Sequence, residues 1–506
     1  MKLYLDGNSL TIQDFWNAVH TKNSQLALTD SAKAAVLKAR ALVDRWTAEG
    51  KVIYGITTGF GEFANVNIPP DQLEELQENL ILSHSVGAGA WMPENIVRGM
   101  LLLRINALAK GHSGIRLETL EALIGMFNHG IIPAVPEQGS VGSSGDLVQL
   151  SHIALALIGK GKCLVNGVLK NSAEVLKSVG IKPVRLKAKE GLALINGTQM
   201  MCSYGTHAIF KAYQLSRVAD VAGAFTLDAL RGTDRAYDAR LHALRPYTGQ
   251  QASAKLLKEL LADSEIRESH RVGDTRVQDA YSLRCMPQVH GASRDTIDHV
   301  LKIITTEINS ANDNPLIFPD EEEHLEGGNF HGQPLALALD FLTIACAEFA
   351  NISERRTERM VNGALSNGLP RFLTTRGGVQ SGMMIAQYTS ASIVSENKVL
   401  AHPASVDSIP TSANQEDHNS MGSISAQKCW KVVNNLQTVL AIELLCAAQA
   451  IDFLRPLKSS ARLEAVHAAI RTRVPFAETD RVLFDDIQDV RDLIESGEIL
   501  KAANVS

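Results

Sequence analysis

Long segments whose apolar residues recur at helical spacing dominate the chain. Between residues 146 and 159, for example, apolar positions recur every three or four residues, at Leu147, Leu150, Ile153 and Leu157, which is the pattern of a helix with one buried face. Strand patterns are sparse. Other long segments, rich in alanine and leucine, cover residues 198–230, 294–310, 335–362, 382–400 and 423–453. We therefore predict a mainly α-helical fold with a central bundle of long helices.

The length of the chain and the apolar surface of these helices bear on the organisation of the molecule. A chain of 506 residues is longer than one compact core usually holds. We predict an N-terminal part over residues 1–220, which carries a loop rich in glycine and serine, and a second part over residues 221–506 with the long helices. Much of the helix surface is apolar, more than a monomer covers well, which indicates a homo-oligomer.

Composition excludes several classes of protein. The chain is 45% hydrophobic and 21% charged, with a formal net charge of -6, so it lacks the basic surface that binds nucleic acid or an anionic membrane. The segments Leu335–Ala350 and Val439–Ala450 are too short or too charged to span a bilayer and are expected to be buried helices. We expect no signal peptide. Six scattered cysteines without metal-ligand spacing predict reduced thiols in a cytoplasmic protein.

Several loops between the predicted helices are dense in glycine, serine and asparagine, and such loops often carry the chemistry of a rigid scaffold. They cover residues 54–61, 83–89, 139–146, 195–199, 278–291, 313–315, 327–334 and 410–421. The chain contains no motif of a dinucleotide site, a P-loop, a zinc protease or an α/β-hydrolase. The sequence Gly-Ser-Ser-Gly at 142–145 is not a nucleophile elbow, because Asp146 follows where that motif requires glycine.

The loop at residues 139–146 is suited to a reaction of its own backbone. Glycines at 139, 142 and 145 allow strained geometry. In a tight bend, the amide nitrogen of Gly145 can approach the carbonyl carbon of Ser143, and only glycine at 145 leaves room for this. Loss of two waters, one from ring closure and one from the Ser144 side chain, would give a ring with an electrophilic methylidene. The alternative is a glycine-rich helix entry in which Asp146 offers its charge to the helix N-terminus.

This loop resembles the Ala-Ser-Gly segment of the aromatic amino acid ammonia-lyase family, which forms 4-methylidene-imidazol-5-one (MIO) autocatalytically. Ser143 stands in the alanine place and would contribute only its carbonyl carbon and a ring substituent, so we expect cyclisation to survive. The resemblance runs from about Leu5 to Leu454 and includes blocks at residues 54–61, 79–89, 190–199, 278–292, 309–318, 327–334 and 405–421. It implies an ammonia-lyase/fumarase-like fold with MIO formed from the chain itself and no metal or diffusible cofactor.

The resemblance also implies roles for individual residues. Elimination of ammonia needs an electrophile for the amine, a base for the β-proton and a group that holds the carboxylate. Tyr281 matches the tyrosine that abstracts the β-proton, and Tyr54 matches a second tyrosine near the ring. Arg284 matches the arginine that binds the carboxylate, for which a planar guanidinium is well suited. Further positions around the ring and the carboxylate match Asn196, Gln278, Asn314 and Phe330.

The resemblance points to L-histidine as the substrate. In the family the pair Ser-His, found here as Ser83-His84, accompanies activity on histidine, and the His84 ring can hydrogen-bond an imidazole. Glu416 stands where members that act on histidine carry glutamate, and its carboxylate can pair with the substrate imidazole. A lone histidine is otherwise more often structural. The implied reaction converts L-histidine to trans-urocanate and ammonia, the first step of histidine degradation.

The assembly and three alternatives complete the sequence-based hypothesis. The family implies a homotetramer with active sites shared between subunits, in which Tyr54, Tyr281 and Glu416 reach one pocket from different chains. A tyrosine ammonia-lyase is the nearest alternative, because some members that act on tyrosine also carry Ser-His. A MIO-dependent 2,3-aminomutase uses the same electrophile. A helical oligomer without enzymatic activity is disfavoured by the intact Ser144-Gly145, Tyr54, Tyr281 and Arg284.

Overall fold

The computed structural model describes residues 1–505 and is mainly α-helical, as predicted. Its helices are α1 (Ile12–His20), α2 (Asp30–Ala48), α3 (Leu73–His84), α4 (Glu94–Ala109), α5 (Leu117–Asn128), α6 (Leu147–Leu157), α7 (Ser172–Ser178), α8 (Glu190–Ile195), α9 (Gln199–Ala229), α10 (Ala239–Ala243), α11 (Thr248–Leu260), α12 (Glu265–Ser269), α13 (Tyr281–Arg284), α14 (Met286–Glu307), α15 (Gln333–Val361), α16 (Met384–Leu400), α17 (Gly422–Asp452), α18 (Ala461–Arg471), α19 (Leu483–Glu495) and α20 (Glu498–Ala502).

The longest helices agree with the predicted long segments. Helices α9 and α17 have 31 residues each and α15 has 29. The predicted loop at 278–291 is wrong for most of its length, because α13 covers Tyr281–Arg284 and α14 begins at Met286. Pro287 lies in the first turn of α14, where the missing backbone N–H has no helical partner to lose. The same helix needs a glycine at position 291 because α11 packs closely against it. An added Cβ there would lie 2.3 Å from the backbone nitrogen of Gln250.

In the described part of the chain, the strands are short and form four small sheets. They are β1 (Lys2–Leu5), β2 (Gln25–Leu28), β3 (Ala88–Trp91), β4 (Ile132–Pro133), β5 (Pro136–Gln138), β6 (Lys162–Val165), β7 (Val168–Asn171), β8 (Leu316–Phe318) and β9 (Glu323–Leu325). Strands β1 and β2 pair in parallel, and the antiparallel pairs are β3 with β5, β8 with β9, and β6 with both β4 and β7. The hairpin β8–β9 directly precedes the segment 326–332, which carries Phe330.

The chain packs as two compact units that are both discontinuous in sequence. The first unit contains Met1–His207, Leu301–Asp340 and Pro403–Gln427, and the second contains Ala208–Val300, Phe341–His402 and Lys428–Ser506. The predicted single boundary near residue 220 does not coincide with this division, because the segments around residues 301–340 and 403–427 pack with the N-terminal segment. All the loops that form the candidate site described below belong to the first unit.

In the first unit, helix ends bring the candidate loops together. Helix α6 packs against both α3 and α8. Helix α6 begins directly after the loop at 139–146, and α8 ends at Ile195, just before the turn that leads into α9. Each of these helices buries apolar residues, such as Leu80 on α3, Leu150 on α6 and Leu192 on α8. The backbone groups that a helix end leaves unpaired are available to hold these loops.

Within residues 1–505, two helices, α15 and α17, are long and apolar enough to cross a membrane by length and composition alone. The predicted segments Leu335–Ala350 and Val439–Ala450 are parts of these two helices, which extend beyond the predicted segments. In both helices most of the apolar window is buried inside the protein, 67% in α15 and 83% in α17. That burial is typical of the core helices of a soluble protein and agrees with the expected buried helices.

The six cysteines are free thiols in the described structure, and five of them are buried. Burial raises the pKa of the Cys163 thiol to about 11 and that of the Cys446 thiol to about 12. The pKa of Cys202 and that of Cys346 also lie well above the usual value because of burial. A thiol with a raised pKa carries little thiolate at neutral pH and is a poor nucleophile.

Candidate active site

A cavity of about 830 Å³ in the first unit collects most of the residues predicted from the sequence. Its walls come from the segment after Tyr54, the end of α3, the start of α6, the end of α8 and two loops around residues 326–331 and 412–418. The predicted site residues that line it are Tyr54, His84, Ser143, Ser144, Asn196, Asn314, Phe330 and Glu416. These eight residues come from seven separate parts of the sequence, so the fold, and not local spacing, brings them together.

The loop at 139–146 is bent at its end, which is the condition for ring closure. Gly145 has a φ of 74°, in the left-handed region, and forms a backbone bridge with Gly197. A Cβ at Gly145 would lie 2.1 Å from the carbonyl oxygen of Gly197, so no other residue fits there without a shift of the backbone. The amide of Asp146 donates to the same carbonyl at 2.7 Å. The turn at residue 197 therefore holds the end of the tripeptide.

Neighbouring segments hold the beginning of this loop. The hydroxyl of Ser423 donates to the carbonyl of Ser140 at 2.6 Å, and the amide of Met421 donates to that of Val141 at 2.9 Å. The carbonyl of Gly142 accepts from the Ser420 hydroxyl at 2.5 Å and from the amide of Gly332 at 2.9 Å. With so many long-range hydrogen bonds, the bend does not depend on the loop alone. Sequence analysis did not single out Ser420 or Ser423.

Asn196 connects the tripeptide to a buried arginine that sequence reasoning missed. The side-chain amide of Asn196 donates to the carbonyl of Ser144 at 2.9 Å. The guanidinium of Arg104, on α4, donates to the backbone carbonyl of Asn196 at 2.6 Å and to the side chain of Gln199 at 3.0 Å. Arg104 is 1% exposed, and burial lowers its pKa to about 10, so it remains a cation at neutral pH. A buried charge at this point fixes the turn between α8 and α9.

Asp146 has a different partner from the one that its position suggests. It is the N-terminal flanking residue of α6, but its side chain makes no capping hydrogen bond there. Its carboxylate instead accepts from the amides of Met200 and Met201, in the first turn of α9, at 2.9 and 3.1 Å. Burial raises the pKa of Asp146 to about 7, although these hydrogen bonds act in the opposite direction. The simple helix-entry interpretation is therefore not what the structure contains.

Glu416 contacts the serine at the centre of the tripeptide. The hydroxyl of Ser144 donates to Oε1 of Glu416 at 3.0 Å, and the hydroxyl of Thr411 donates to Oε2 at 2.8 Å. A short antiparallel bridge between residues 411 and 416 fixes the loop that carries them. Each oxygen of the carboxylate therefore has one hydroxyl donor, and the carboxylate faces the cavity in a defined orientation.

Tyr54 and His84 occupy the cavity as neutral groups. Burial raises the pKa of the Tyr54 phenol; its hydrogen bond from the Gly61 amide acts against this, and the charges of Glu416 and Glu326 raise the pKa further. Burial lowers the pKa of the His84 imidazole, and the Leu80 backbone and the charge of Glu416 offset only part of this. The phenol thus keeps its proton at neutral pH, and the imidazole is uncharged there.

Two histidines that sequence reasoning missed join the loops on one side of the cavity. The rings of His331 and His418 are stacked with centroids 6.0 Å apart. Nε2 of His331 lies 3.1 Å from the carbonyl of His418, while its Nδ1 accepts from the amide of Gln333 at 3.3 Å. This arrangement ties the loop of Phe330 to the loop of Glu416. Nearby, Asn314 accepts from the amide of Gly327 at 2.8 Å.

Gln278, Tyr281 and Arg284 belong to the second unit and are not among the residues that line the cavity. They form a cluster of their own. The guanidinium of Arg284 lies over the Tyr281 ring at 4.7 Å from its centroid and donates to Oε1 of Gln278. Tyr281 is 71% exposed although Arg284 lies over its ring, which is unusual for an aromatic residue.

Tyr54, Tyr281 and Glu416 were expected to reach one pocket from different chains, and this expectation needs a correction. Tyr54 and Glu416 line the same cavity of one chain, and the charge of Glu416 acts on the Tyr54 phenol within that chain. Both residues lie on segments of the first unit, so they need no second chain to meet. Only the contribution of Tyr281 from another chain remains a prediction. Among residues 1–505, no group of three or more His, Cys, Asp or Glu side chains is arranged to hold a metal ion.

Comparisons with known proteins agree on one family. The family model described as aromatic amino acid lyase matches residues 10–472. The chain is 52% identical over 498 residues to the histidine ammonia-lyase of Caldanaerobacter subterraneus subsp. tengcongensis, which covers 98% of this chain and 97% of that protein. It is 51% identical over 502 residues to the histidine ammonia-lyase of Alkaliphilus oremlandii, with 99% and 98% covered.

Solved structures of the same family have the same fold. The structure of histidine ammonia-lyase from Trypanosoma cruzi matches with a TM-score of 0.93 at 46% identity, over 100% of this chain and 96% of that chain. The structure of tyrosine aminomutase from Streptomyces globisporus matches with a TM-score of 0.93 at 37% identity, over 100% and 98% of the two chains. The predicted ammonia-lyase type of helical fold is thereby confirmed.

Proposed function

Because the chain belongs to the aromatic amino acid lyase family, we propose that it removes ammonia from L-histidine without oxidation and releases trans-urocanate, the first step of histidine degradation. The relatives that share about half of its sequence over nearly their whole length carry the name histidine ammonia-lyase. The observation that carries the proposal is the single cavity in which Ser144, Tyr54, His84 and Glu416 meet. We further propose that it acts in the cytoplasm.

The tripeptide Ser143-Ser144-Gly145 fits the formation of MIO. Gly145 is held in a left-handed conformation with no space for a side chain. Asn196 donates to the carbonyl of Ser144, and the same side chain has a second, buried polar atom, Oδ1, without a partner. These features support a loop that is bent before any chemistry begins. The ring supplies an electrophilic methylidene, which makes the amine of the substrate a better leaving group.

The chain's own residues then bind the substrate and move its protons. His84 and Glu416 line the same cavity, and we propose that they bind the imidazole of the substrate, one as a neutral ring and the other as a carboxylate. Tyr54 keeps its proton because its pKa is raised, which suits a group that donates to the substrate. Asn314 and Phe330 complete the wall of the cavity. A tyrosine such as Tyr281 would take the β-proton.

We propose that a second copy of the chain supplies Gln278, Tyr281 and Arg284 to each cavity, within a homotetramer. Support comes from the exposed Tyr281 and from the exposed apolar side chains on α15 and α16, among them Phe341, Ile385 and Tyr388 at 43%, 52% and 61% exposure. Apolar faces of this kind normally pack against another protein surface. Arg284 would bring its planar guanidinium to the carboxylate of the substrate.

The proposal is tested by following the near-ultraviolet absorbance of a conjugated acrylate with L-histidine, L-tyrosine and L-phenylalanine in separate reactions. We expect product from histidine alone. A tyrosine ammonia-lyase would give product from tyrosine instead, and an aminomutase would give a β-amino acid, which chromatography of the reaction mixture separates. Product from none of the three, with an intact mass that has lost no water, would refute the proposal and favour a protein that never forms its electrophile.

A substitution of His84, the last residue of α3, tests the choice of substrate. We expect His84→Leu to lower kcat/KM for histidine about tenfold or more, the equivalent of one lost hydrogen bond. His129→Leu is the matched control, because His129 is an exposed histidine at the end of α5 and does not line the cavity. An unchanged kcat/KM in the His84 variant would remove this basis for substrate selection.

A further inference from the structure

Two adjacent serines make the site of dehydration ambiguous in this chain. In the sequence Gly142-Ser143-Ser144-Gly145, a ring could form from residues 142–144, with loss of the Ser143 hydroxyl, or from residues 143–145, with loss of the Ser144 hydroxyl. An alanine at position 143 would remove this ambiguity. The surroundings of the two hydroxyls in this structure are different, and the difference favours one of them.

The hydroxyl of Ser143 is held in place. Ser143 is 3% exposed, and its oxygen accepts a hydrogen bond from the backbone amide of Ser420 at 3.0 Å. This backbone amide can stabilise charge on the Ser143 oxygen, but it cannot give that oxygen the proton with which a hydroxyl leaves as water. The nitrogen that would close the alternative ring belongs to Ser144. The side chain of Ser144 restricts its backbone, whereas Gly145 has no such restriction.

The hydroxyl of Ser144 faces a group that can carry a proton. It donates to Oε1 of Glu416 at 3.0 Å, and Thr411 holds the other carboxylate oxygen at 2.8 Å. The ring nitrogen in this register belongs to Gly145, which is already bent with a φ of 74°. Both the closing nitrogen and the leaving hydroxyl are therefore prepared in the 143–145 register only.

We propose that Glu416 selects Ser144, and not Ser143, as the serine that loses its hydroxyl when the ring forms. Ring closure joins the Gly145 nitrogen to the Ser143 carbonyl carbon, and the carbonyl oxygen leaves as water with the amide hydrogens of Ser144 and Gly145. The second water contains the Cα hydrogen and the hydroxyl of Ser144, whose Cα–Cβ bond becomes double. Glu416, already in contact with the departing oxygen, carries the proton from Cα to it, so neither step needs an oxidant.

The same carboxylate would then change its partner. Once the Ser144 oxygen has left, Oε1 of Glu416 has lost its hydroxyl donor, whereas Oε2 keeps Thr411. The freed oxygen can accept from the imidazole N–H of the substrate. This second role rests on the proposed function, while the first concerns ring formation and can be measured without turnover.

The test follows the intact mass of full-length protein purified at intervals after a short pulse of expression. We expect the form that lacks two waters to appear about tenfold or more slowly in Glu416→Gln than in the unaltered chain. Asp407→Asn is the matched control, since it removes an exposed carboxylate from the same loop and should mature at the normal rate. Peptide mass mapping should place the lost hydroxyl at Ser144, and Ser144→Ala should show no dehydration at Ser143.

The outcomes separate this inference from the proposed function. Maturation of Glu416→Gln at the normal rate, or loss of water at Ser143 in Ser144→Ala, would overturn the inference. A Glu416→Gln protein that is fully dehydrated but inactive on histidine would do the same and leave the proposed function standing. Full mass in the unaltered chain would contradict the proposed function itself. Thr411→Val keeps the carboxylate but removes its hydroxyl donor, and an intermediate rate is expected; a normal rate would count against the inference if the Gln variant does not fold.

Discussion

At the scale of a single residue, Asp146 illustrates how a buried carboxylate serves two segments at once. It follows the tripeptide directly in the chain, and its carboxylate receives two backbone amides from the start of α9. A carboxylate at a helix N-terminus interacts favourably with the helix dipole. Burial still raises its pKa from 3.8 to about 7, which means that desolvation is the larger effect here.

This raised pKa predicts a pH-dependent stability. Between about pH 4 and pH 7 the folded protein keeps the Asp146 proton while the unfolded chain releases it, so the free energy of unfolding falls as the pH rises through this range. Asp146→Asn cannot titrate but can still accept from the α9 amides. We measure the urea midpoint of both proteins at about pH 5 and about pH 8. The midpoint of the unaltered protein minus that of the variant should be smaller at the higher pH. An equal difference at both pH values would show that Asp146 is already ionised.

At the scale of an element, the turn between α8 and α9 is the part that shapes the tripeptide. Asn196 donates to the Ser144 carbonyl, and Gly197 accepts from the Asp146 amide and faces Gly145. Gly197 has a φ of 149°, and an added Cβ would lie 2.6 Å from the guanidinium of Arg104. The turn is therefore held between a buried cation on one side and the tripeptide on the other.

We expect Gly197→Ala to lower the stability of the protein by about 1–3 kcal/mol and to slow the loss of two waters. The added methyl group would displace Arg104 or the turn. The side-chain amide of Asn196, which donates to the Ser144 carbonyl, would move with it. Thermal unfolding and the time course of intact mass measure the two effects. Gly167→Ala is the control, because Gly167 also has a positive φ but no atom within 4 Å of an added Cβ. Equal effects of the two substitutions on maturation would contradict the proposed role of the turn.

At the scale of the whole molecule, the cavity of one chain is lined by only some of the site residues that the family resemblance predicts. The cavity contains Ser144, Tyr54, His84 and Glu416, whereas Tyr281 and Arg284 belong to the second unit and do not line it. In the proposed homotetramer, another copy of the chain would supply these two residues. Closed symmetric assemblies repeat one interface, so a tetramer would complete every cavity in the same way.

Complementation between two inactive variants tests this division. Neither Ser144→Ala nor Tyr281→Phe should turn over histidine alone. In co-expressed mixtures, about one quarter of the sites should combine an intact Ser144 with an intact Tyr281 if the two come from different chains. We expect activity to recover to about that fraction. Mixed assemblies that form, as shown by native mass spectrometry, but remain inactive would mean that a single chain supplies both residues.

The sequence predicted those features that depend on local pattern. Long helices followed from alanine and leucine at helical spacing, and the bend at Gly145 followed from glycine next to two serines. The contacts that hold the bend were not predicted, because their partners lie far away in sequence: 54 residues separate Asp146 from Met200, 92 separate Arg104 from Asn196, and 277 separate Ser143 from Ser420. A linear pattern contains no information about which distant donor meets which acceptor.

The burial and protonation of the cysteines bear on whether the protein could alkylate itself. A methylidene electrophile is a target for any thiolate within reach, and a chain that makes one could alkylate itself. None of the described residues that line the cavity is a cysteine. The buried thiols whose pKa is raised, Cys163, Cys202, Cys346 and Cys446, remain protonated at neutral pH. The proposed methylidene would therefore meet no cysteine in the wall of its own cavity.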